Sequence, residues 1–192
     1  MKICFATNNK KKLEEVRAAL GKDIEIQSLS DIGCSEELPE TGDRLEDNSL
    51  EKARYVSSHY QVDCFADDTG LEVKALDGAP GVYSGRFAGE PRNDERNIDL
   101  LLDKMVHKTD RSAAFRTVIS LIIEGREYQF EGEAKGEILA KRSGSGGFGY
   151  DPVFRPDGFD KTFAELSMDE KNAISHRGKA VKHLAAFLQN NF

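Results

Sequence analysis

Apolar and polar positions recur along this chain with two periods, about two and about 3.6, and the switches between them predict its elements. Residues 2–6 alternate weakly and stop at Ala6-Thr7, a first strand. A polar turn follows, and then Leu13, Val16, Ala19 and Leu20 fall at helical spacing. Ile24-Glu25-Ile26-Gln27-Ser28-Leu29 alternates cleanly and predicts a second strand. Residues 30–42, with Gly33, Pro39 and Gly42, read as an acidic loop, and Asp43 to Tyr60 as a long helix. Asn48 and Lys52 lie four apart on that helix, hence on one face.

The second half continues the pattern. Cys64-Phe65-Ala66 is a short buried strand that runs into Asp67-Asp68-Thr69-Gly70, read as a turn, with a further strand over 71–76. Asp77-Gly78-Ala79-Pro80-Gly81 is a turn cluster, and residues 82–92 read as irregular. Asn93 to Val106 predicts a helix with Ile98, Leu101, Leu102 and Met105 inward. Residues 113–123 and 127–135 predict a hairpin of long strands around Glu124-Gly125-Arg126, with a short strand at Ile138-Leu139. The tail is helical from Ser167, breaks near Ile174-Ser175, and resumes through Phe187.

Composition narrows the classes. At 192 residues, 39% apolar and 32% charged, the chain suits one domain or two lobes sharing a sheet. No Pro- or Ser-rich linker divides it, so residues 1–192 are expected to form a single domain. No run approaches the apolar length of a membrane span. The formal net charge of −7 argues against a nucleic-acid backbone binder, though a small anion could sit in a locally basic pocket. Cys4, Cys34 and Cys64 have neither metal-ligand spacing nor a disulfide framework, so the expected location is cytoplasmic.

Three stretches carry candidate chemistry. Asp67 and Asp68 are adjacent carboxylates at a strand end, where each raises the other's pKa unless a cation intervenes. A hard ion such as Mg2+ takes oxygen ligands by preference; two solvated acids in a turn is the plainer alternative. Lys10, Lys11 and Lys12 open the first helix at its positive dipole end, where acids are favoured, which points to an anion held there or to a solvated cluster. Lys52 could meet a phosphate, or belong to an ordinary helix ladder. In Ser143 to Pro152, Gly144, Gly146, Gly147 and Gly149 allow close backbone approach, Phe148 offers a flat face, and Asp151 can accept hydrogen bonds. Ser175 reads as an N-cap, which puts His176 and Arg177 in a first helical turn, again cations at the disfavoured end.

Thr7-x-Asn9-x-x-Lys12, Ala66 to Leu71, Gly147 to Pro152 and Ser175-His176-Arg177 occur here in one order. In that order and spacing the chain resembles the inosine triphosphate pyrophosphatase family over nearly its whole length. The resemblance implies an elongated α/β fold, with a mixed sheet flanked by helices, two lobes and a central substrate cleft, in a homodimer. It implies Mg2+-dependent hydrolysis of non-standard purine nucleoside triphosphates (dITP, ITP, XTP) to the monophosphate and pyrophosphate. Carried over, Thr7, Asn8, Asn9, Lys10, Lys11 and Lys12 cradle the triphosphate. Glu40 and Asp68 hold the metal, Asp68 takes the proton of the attacking water, Asp67 supports the site and Thr69 contacts substrate. Phe148 stacks on the base, Gly149, Tyr150 and Asp151 line its pocket, and Lys171, His176 and Arg177 contact base or phosphates. Asn8 stands where the family often has glycine, a residue that tolerates positive φ better than most. Two other readings use the same residues: an aspartyl-phosphate nucleophile at Asp67 or Asp68, or a nucleotide-binding module without turnover.

Overall fold

A computed structural model describes residues 1–20 and 24–192 of the chain. The elements are β1 (Lys2–Phe5), α1 (Lys10–Leu20), β2 (Glu25–Gln27), α2 (Leu45–Tyr60), β3 (Cys64–Val73) and β4 (Pro80–Gly81), followed by α3 (Asp94–Met105) and β5 (Ser112–Ile123). After these come β6 (Arg126–Ile138), β7 (Phe154–Pro156), α4 (Met168–Ile174) and α5 (His176–Asn191). The strands form one mixed sheet in the order β2-β1-β3-β5-β6-β7, with β4 paired to β3. β1 runs parallel to β2 and β3, while β4 on β3 and β7 on β6 are antiparallel. The architecture is α/β. Among the described residues no helix is long and apolar enough to cross a membrane.

The chain divides into two compact units, one of residues 1–68, 117–132 and 177–192, the other of residues 69–116 and 133–176. In the first, strand alternation sorts side chains to two faces. Ile3, Phe5, Phe65, Ile119 and Leu121 join Val16 of α1 and Val181 and Leu184 of α5 in one core cluster. Cys4, Ala6, Cys64, Ala66 and Ile122 join Ala53 and Val56 of α2 in another. Phe5 and Phe65 stack at 4.7 Å across the parallel pair. In the second unit, Leu71, Val73, Phe115 and Phe154 pack with Ile98, Leu101 and Met105 of α3 and with Phe163. Asn93 caps α3 by accepting the Arg96 N–H.

The largest departure from expectation lies at 64–76. Instead of a strand, a turn and a second strand, β3 runs unbroken from Cys64 to Val73, and residues 74–76 are a 3-10 turn. Gly70 sits in mid-strand because β4 comes too close for a side chain: a β-carbon there would lie 2.7 Å from the Gly81 carbonyl oxygen. The strand expected at 127–135 and the piece at 138–139 are one strand, β6, closed to β5 by Glu124 and Gly125 at φ +49° and +73°. α2 starts at Leu45, two residues late, after an extended Arg44. The last helix reaches Asn191, and β7 is an element that its short length concealed. Asn8 needs no tolerance of positive φ, since among the described residues only Gln61, Asp77 and Glu124 adopt it without being glycine.

Candidate functional site

Because β3 continues through both acids, Asp67 and Asp68 point to opposite faces of the strand. Asp67 follows the phase of Phe65 toward α1 and α5; Asp68 follows Cys64 and Ala66 toward α2. The two acids therefore make different direct contacts, although Lys12 and Lys52 act electrostatically on both.

On the first face Lys12 Nζ donates to Asp67 Oδ1 at 2.9 Å and Arg177 Nε to Oδ2 at 3.1 Å. Arg177 Nη1 also donates to Glu15 Oε2 at 2.5 Å. Asp67 is 1% exposed and Arg177 2%. Burial opposes the Asp67 charge, but Lys12 and Arg177 override it and hold the carboxyl well below its ordinary range. Burial acts against Lys12 as well, and lowers it despite Asp67. Arg177, also buried, is kept charged by Asp67 and Glu15. A carboxylate so firmly ionised between two cations is a fixed structural charge.

Asp68 differs. Asn48 Nδ2 donates to its Oδ2 at 3.0 Å, and Lys52 Nζ stands 3.8 Å from its Oδ1. The same ammonium donates to Glu40 Oε1 at 2.5 Å. Burial raises the Asp68 carboxyl above its ordinary value in spite of Lys52 and Lys12, and Glu40 adds to the rise. Burial also disfavours the Lys52 charge, yet Asp68 and Glu40 together raise its pKa. Glu40, where burial is outweighed by Lys52, is lowered. The two adjacent acids are thus shifted in opposite directions, Asp68 upward and Asp67 downward.

Glu40 and Asp68 present hard oxygen donors to one cationic centre. Among the described residues no group of three or more His, Cys, Asp or Glu side chains could hold a metal ion. A two-carboxylate set suits Mg2+, which keeps waters and takes phosphate oxygens rather than a full protein cage. The residues fit that ion.

At the start of α1 the three lysines diverge. Lys12 turns inward to Asp67, whereas Lys10 and Lys11 are exposed. Asn9 is the cap: its Oδ1 accepts the N–H of Lys11 at 3.0 Å and of Lys12 at 3.2 Å. Thr7 Oγ1 accepts the Asn9 N–H, and Asn8 Nδ2 reaches the Glu36 carbonyl at 3.4 Å. Two of the amides expected to face an anion are thus taken by the cap.

The second unit holds the other cluster. Asp151 Oδ2 accepts the Phe148 N–H at 2.9 Å and Lys171 Nζ at 2.6 Å, and both charged residues are buried. Lys171 Nζ lies 5.0 Å from the centre of the Phe148 ring and 5.6 Å from that of Phe163. Gly147, at φ +68°, leaves room for the Asp151 carboxylate, which a β-carbon would meet at 2.0 Å. The Gly149 N–H is held by Asp94 Oδ2 at 2.9 Å. Tyr150 is an anchor: its buried hydroxyl donates to the Ser84 carbonyl at 2.6 Å, and burial pushes its pKa up. His176 stacks on Phe115 at 4.6 Å, and Thr69 is half-buried.

Against known proteins, the sequence profile of the Ham1 family matches residues 3–187. The chain belongs to the Ham1 family. A dITP/XTP pyrophosphatase of Flavobacterium johnsoniae is 54% identical over 98% of both chains, and one of Porphyromonas gingivalis is 52% identical over 97% of both. Among solved structures, the Ham1 protein of Staphylococcus aureus aligns with a TM-score of 0.90 at 39% identity, covering 100% of both chains. A nucleoside-triphosphatase / dITP/XTP pyrophosphatase from Mycobacterium abscessus aligns with a TM-score of 0.77 at 45% identity, over 98% of this chain and 99% of its own.

In this Ham1 family member, one unit brings together Lys12, Glu40, Lys52, Asp68 and Arg177, and the other Phe148, Asp151 and Lys171. Sequence reasoning missed Glu15, a buried acid that follows Lys12 by three on the inward face of α1. It also missed Asp94 and the bonds made by Asn48. For Glu15 the usable signal was an acid beside Val16 within an apolar helical stripe.

Proposed function

We propose that this protein hydrolyses non-standard purine nucleoside triphosphates (dITP, ITP and XTP) at the α–β phosphoanhydride, giving the monophosphate and pyrophosphate. The observation that carries the reading is Asp68: a buried carboxylate tied on one oxygen by Asn48, with its other oxygen 3.8 Å from the Lys52 ammonium that also binds Glu40. The dITP/XTP pyrophosphatase names of relatives spanning the whole chain supply the substrate class.

Asp68 accepts the proton of the water that attacks the α-phosphorus, a role for a carboxylate within reach of that water. Lys12 and Lys52 bring fixed positive charge to the oxygens on which charge develops. Asp67, ionised and unavailable as a base, keeps Lys12 and Arg177 in place. Glu40 and Asp68 would hold Mg2+, which would supply Lewis-acid neutralisation of phosphate charge. Phe148 offers its face to the purine, with the Asp151–Lys171 pair beside it.

Inosine and xanthine carry a 6-oxo acceptor where adenine carries an amino donor, so a donor at that position rejects ATP by leaving buried groups mispaired. Two of the Arg177 donors are committed to Asp67 and Glu15. We place the 6-oxo donor in the segment around His176 rather than in that partly committed fork, an assignment the Arg177→Ala selectivity ratios test. A homodimer and a cytoplasmic location complete the proposal; light scattering of the purified protein tests the first.

The decisive assay supplies ITP, XTP, ATP and GTP with Mg2+ and reads phosphate with and without added inorganic pyrophosphatase. Phosphate from ITP and XTP only with the helper enzyme is the expected result. Phosphate without it moves the aspartyl-phosphate route ahead, and no release from any nucleotide leaves a binding module.

A further inference from the structure

Asn48 occupies a place that neither the ligand set nor the base accounts for. It is 1% exposed and lies one helical turn before Lys52 on the same face of α2. Its Oδ1 accepts the Gly42 N–H at 2.8 Å, and its Nδ2 donates to Asp68 Oδ2 at 3.0 Å. Since a backbone N–H can only donate and a carboxylate can only accept, the amide has one orientation and cannot flip without losing both bonds. Gly42 is constrained to match: a β-carbon there would lie 2.8 Å from Asp47 Cβ and 3.0 Å from Asn48 Oδ1. One residue earlier, Thr41 clamps the same segment to α2, with its N–H and hydroxyl each donating to Glu51 at 2.9 Å. The segment that carries Glu40 and the strand residue Asp68 are thus joined through a single buried amide.

We infer that Asn48 is a positioning residue for the reaction, one that selects which oxygen of Asp68 works. By holding Oδ2 it turns Oδ1 toward Lys52 and Glu40, and through Gly42 it keeps Glu40 in register with that oxygen. Two side chains spaced i, i+4 on one helix thereby address the two oxygens of one carboxylate: Asn48 by a neutral donor, Lys52 by a charge. The inference rests on the proposed role of Asp68 and deepens it.

The test uses the full chain with Asn48→Asp, Asn48→Ala and Asp68→Asn, each assayed for kcat and KM with ITP. Asn48→Asp keeps the acceptor for Gly42 and loses the donor to Asp68, while Asn48→Ala loses both. Both are expected to lower kcat about 10- to 100-fold, the usual cost of removing a partner that orients a reacting ligand, with KM nearly unchanged. In the Asp68→Asn background, Asn48→Ala should lower the residual rate no further, which a merely structural role would not produce. Parental kcat in Asn48→Asp, or an undiminished effect of Asn48→Ala in the Asp68→Asn background, overturns the inference. Should Asn48→Ala fail to fold, the near-isosteric Asn48→Asp alone and combined with Asp68→Asn decides. Full turnover by Asp68→Asn itself removes the reading of Asp68, whereas an inactive Asp68→Asn beside fully active Asn48 variants removes the Asn48 inference alone.

Discussion

Around Asp67 and Asp68 charge is held in a network: Glu15, Asp67 and Asp68 are buried, Glu40 joins from an exposed position, and each of Lys12, Lys52 and Arg177 touches an acid. Around Asp151 it buries a single matched pair with Lys171, walled by the rings of Phe148 and Phe163. Desolvation is costly in both, but the remedies differ. A network can hold one member firmly charged and leave another with raised proton affinity, as Asp67 and Asp68 show, because each acid touches different cations. The Asp151–Lys171 pair supplies a polar edge next to a flat apolar face. The first arrangement suits moving protons and steadying phosphate charge, the second suits reading a planar ring.

Asp68→Asn breaks the comparison most sharply. It removes the base while the amide can still meet Asn48 or Lys52, so folding should survive. Pyrophosphate release from ITP is expected to fall about 10²- to 10⁴-fold, measured by the coupled phosphate assay, with little change in nucleotide affinity. Asp67→Asn probes the other acid. It should show its main loss in stability rather than as a missing base, and a shift seen by urea unfolding would separate the two.

Arg177→Ala comes next in size, and its effect belongs to the network's integrity. It strips one cation from Asp67 and the partner from Glu15, both buried. Breaking a buried pair by removing one member costs about 3–5 kcal/mol, and denaturant unfolding reads it directly. Turnover of ITP, XTP and GTP by the same variant tests the assignment of base selectivity elsewhere: the ratios should be unchanged even as overall activity falls. A change in the ratios would return Arg177 to the base.

How much of this was readable beforehand follows the range of the interactions. The helices and the long strands show in local periodicity, and residues 3–187 carry the family's motifs in order. The acids were readable as chemistry but not as geometry, because Asp-Asp-Thr-Gly is also good turn chemistry. β3 continues because β1 and β5 flank it and Gly81 and Pro80 pair with Leu71 and Glu72, contacts no local rule exposes. Once the strand is known to continue, alternation alone places Asp67 and Asp68 on opposite faces. Glu15 meets Arg177 across 162 positions of sequence, so only an acid in an apolar stripe hinted at it. Tyr150 is expected to line the base pocket from the resemblance, and its hydroxyl ties the glycine-rich segment to Ser84, a bond no sequence pattern announces.

In the aromatic region the effects should be smaller and should fall on binding. Phe148→Ala removes a stacking face worth about 1–3 kcal/mol per base, so the KM for ITP should rise about 5- to 100-fold. The chemical step, proposed at Asp68, does not use this ring, so kcat should stay within about twofold. Steady-state kinetics with ITP and XTP checks this. A fall in kcat at constant KM would mean that the division of labour between the two regions is wrong.

The finest separation comes from Ser167, whose side chain caps α4 and whose carbonyl accepts the Lys171 N–H at 2.9 Å. It caps α4 in a reciprocal box: its hydroxyl accepts the Glu170 N–H at 3.2 Å, and the Glu170 carboxylate accepts the Ser167 N–H at 2.8 Å. The next residue of that helix is Lys171, whose ammonium completes the pair with Asp151. Ser167→Ala should cost about 1 kcal/mol of stability, the usual loss of an N-cap, and Ser167→Asp should restore most of it. Because α4 is only seven residues long, loosening its first turn loosens Lys171, so the KM for ITP should rise by at most about fivefold. The network at Asp68 does not depend on this helix, and kcat at saturating ITP should stay at the parental value. If Ser167→Ala instead lowered kcat and left KM alone, Lys171 would have to act on the phosphates, and the two ways of burying charge would serve one task rather than two.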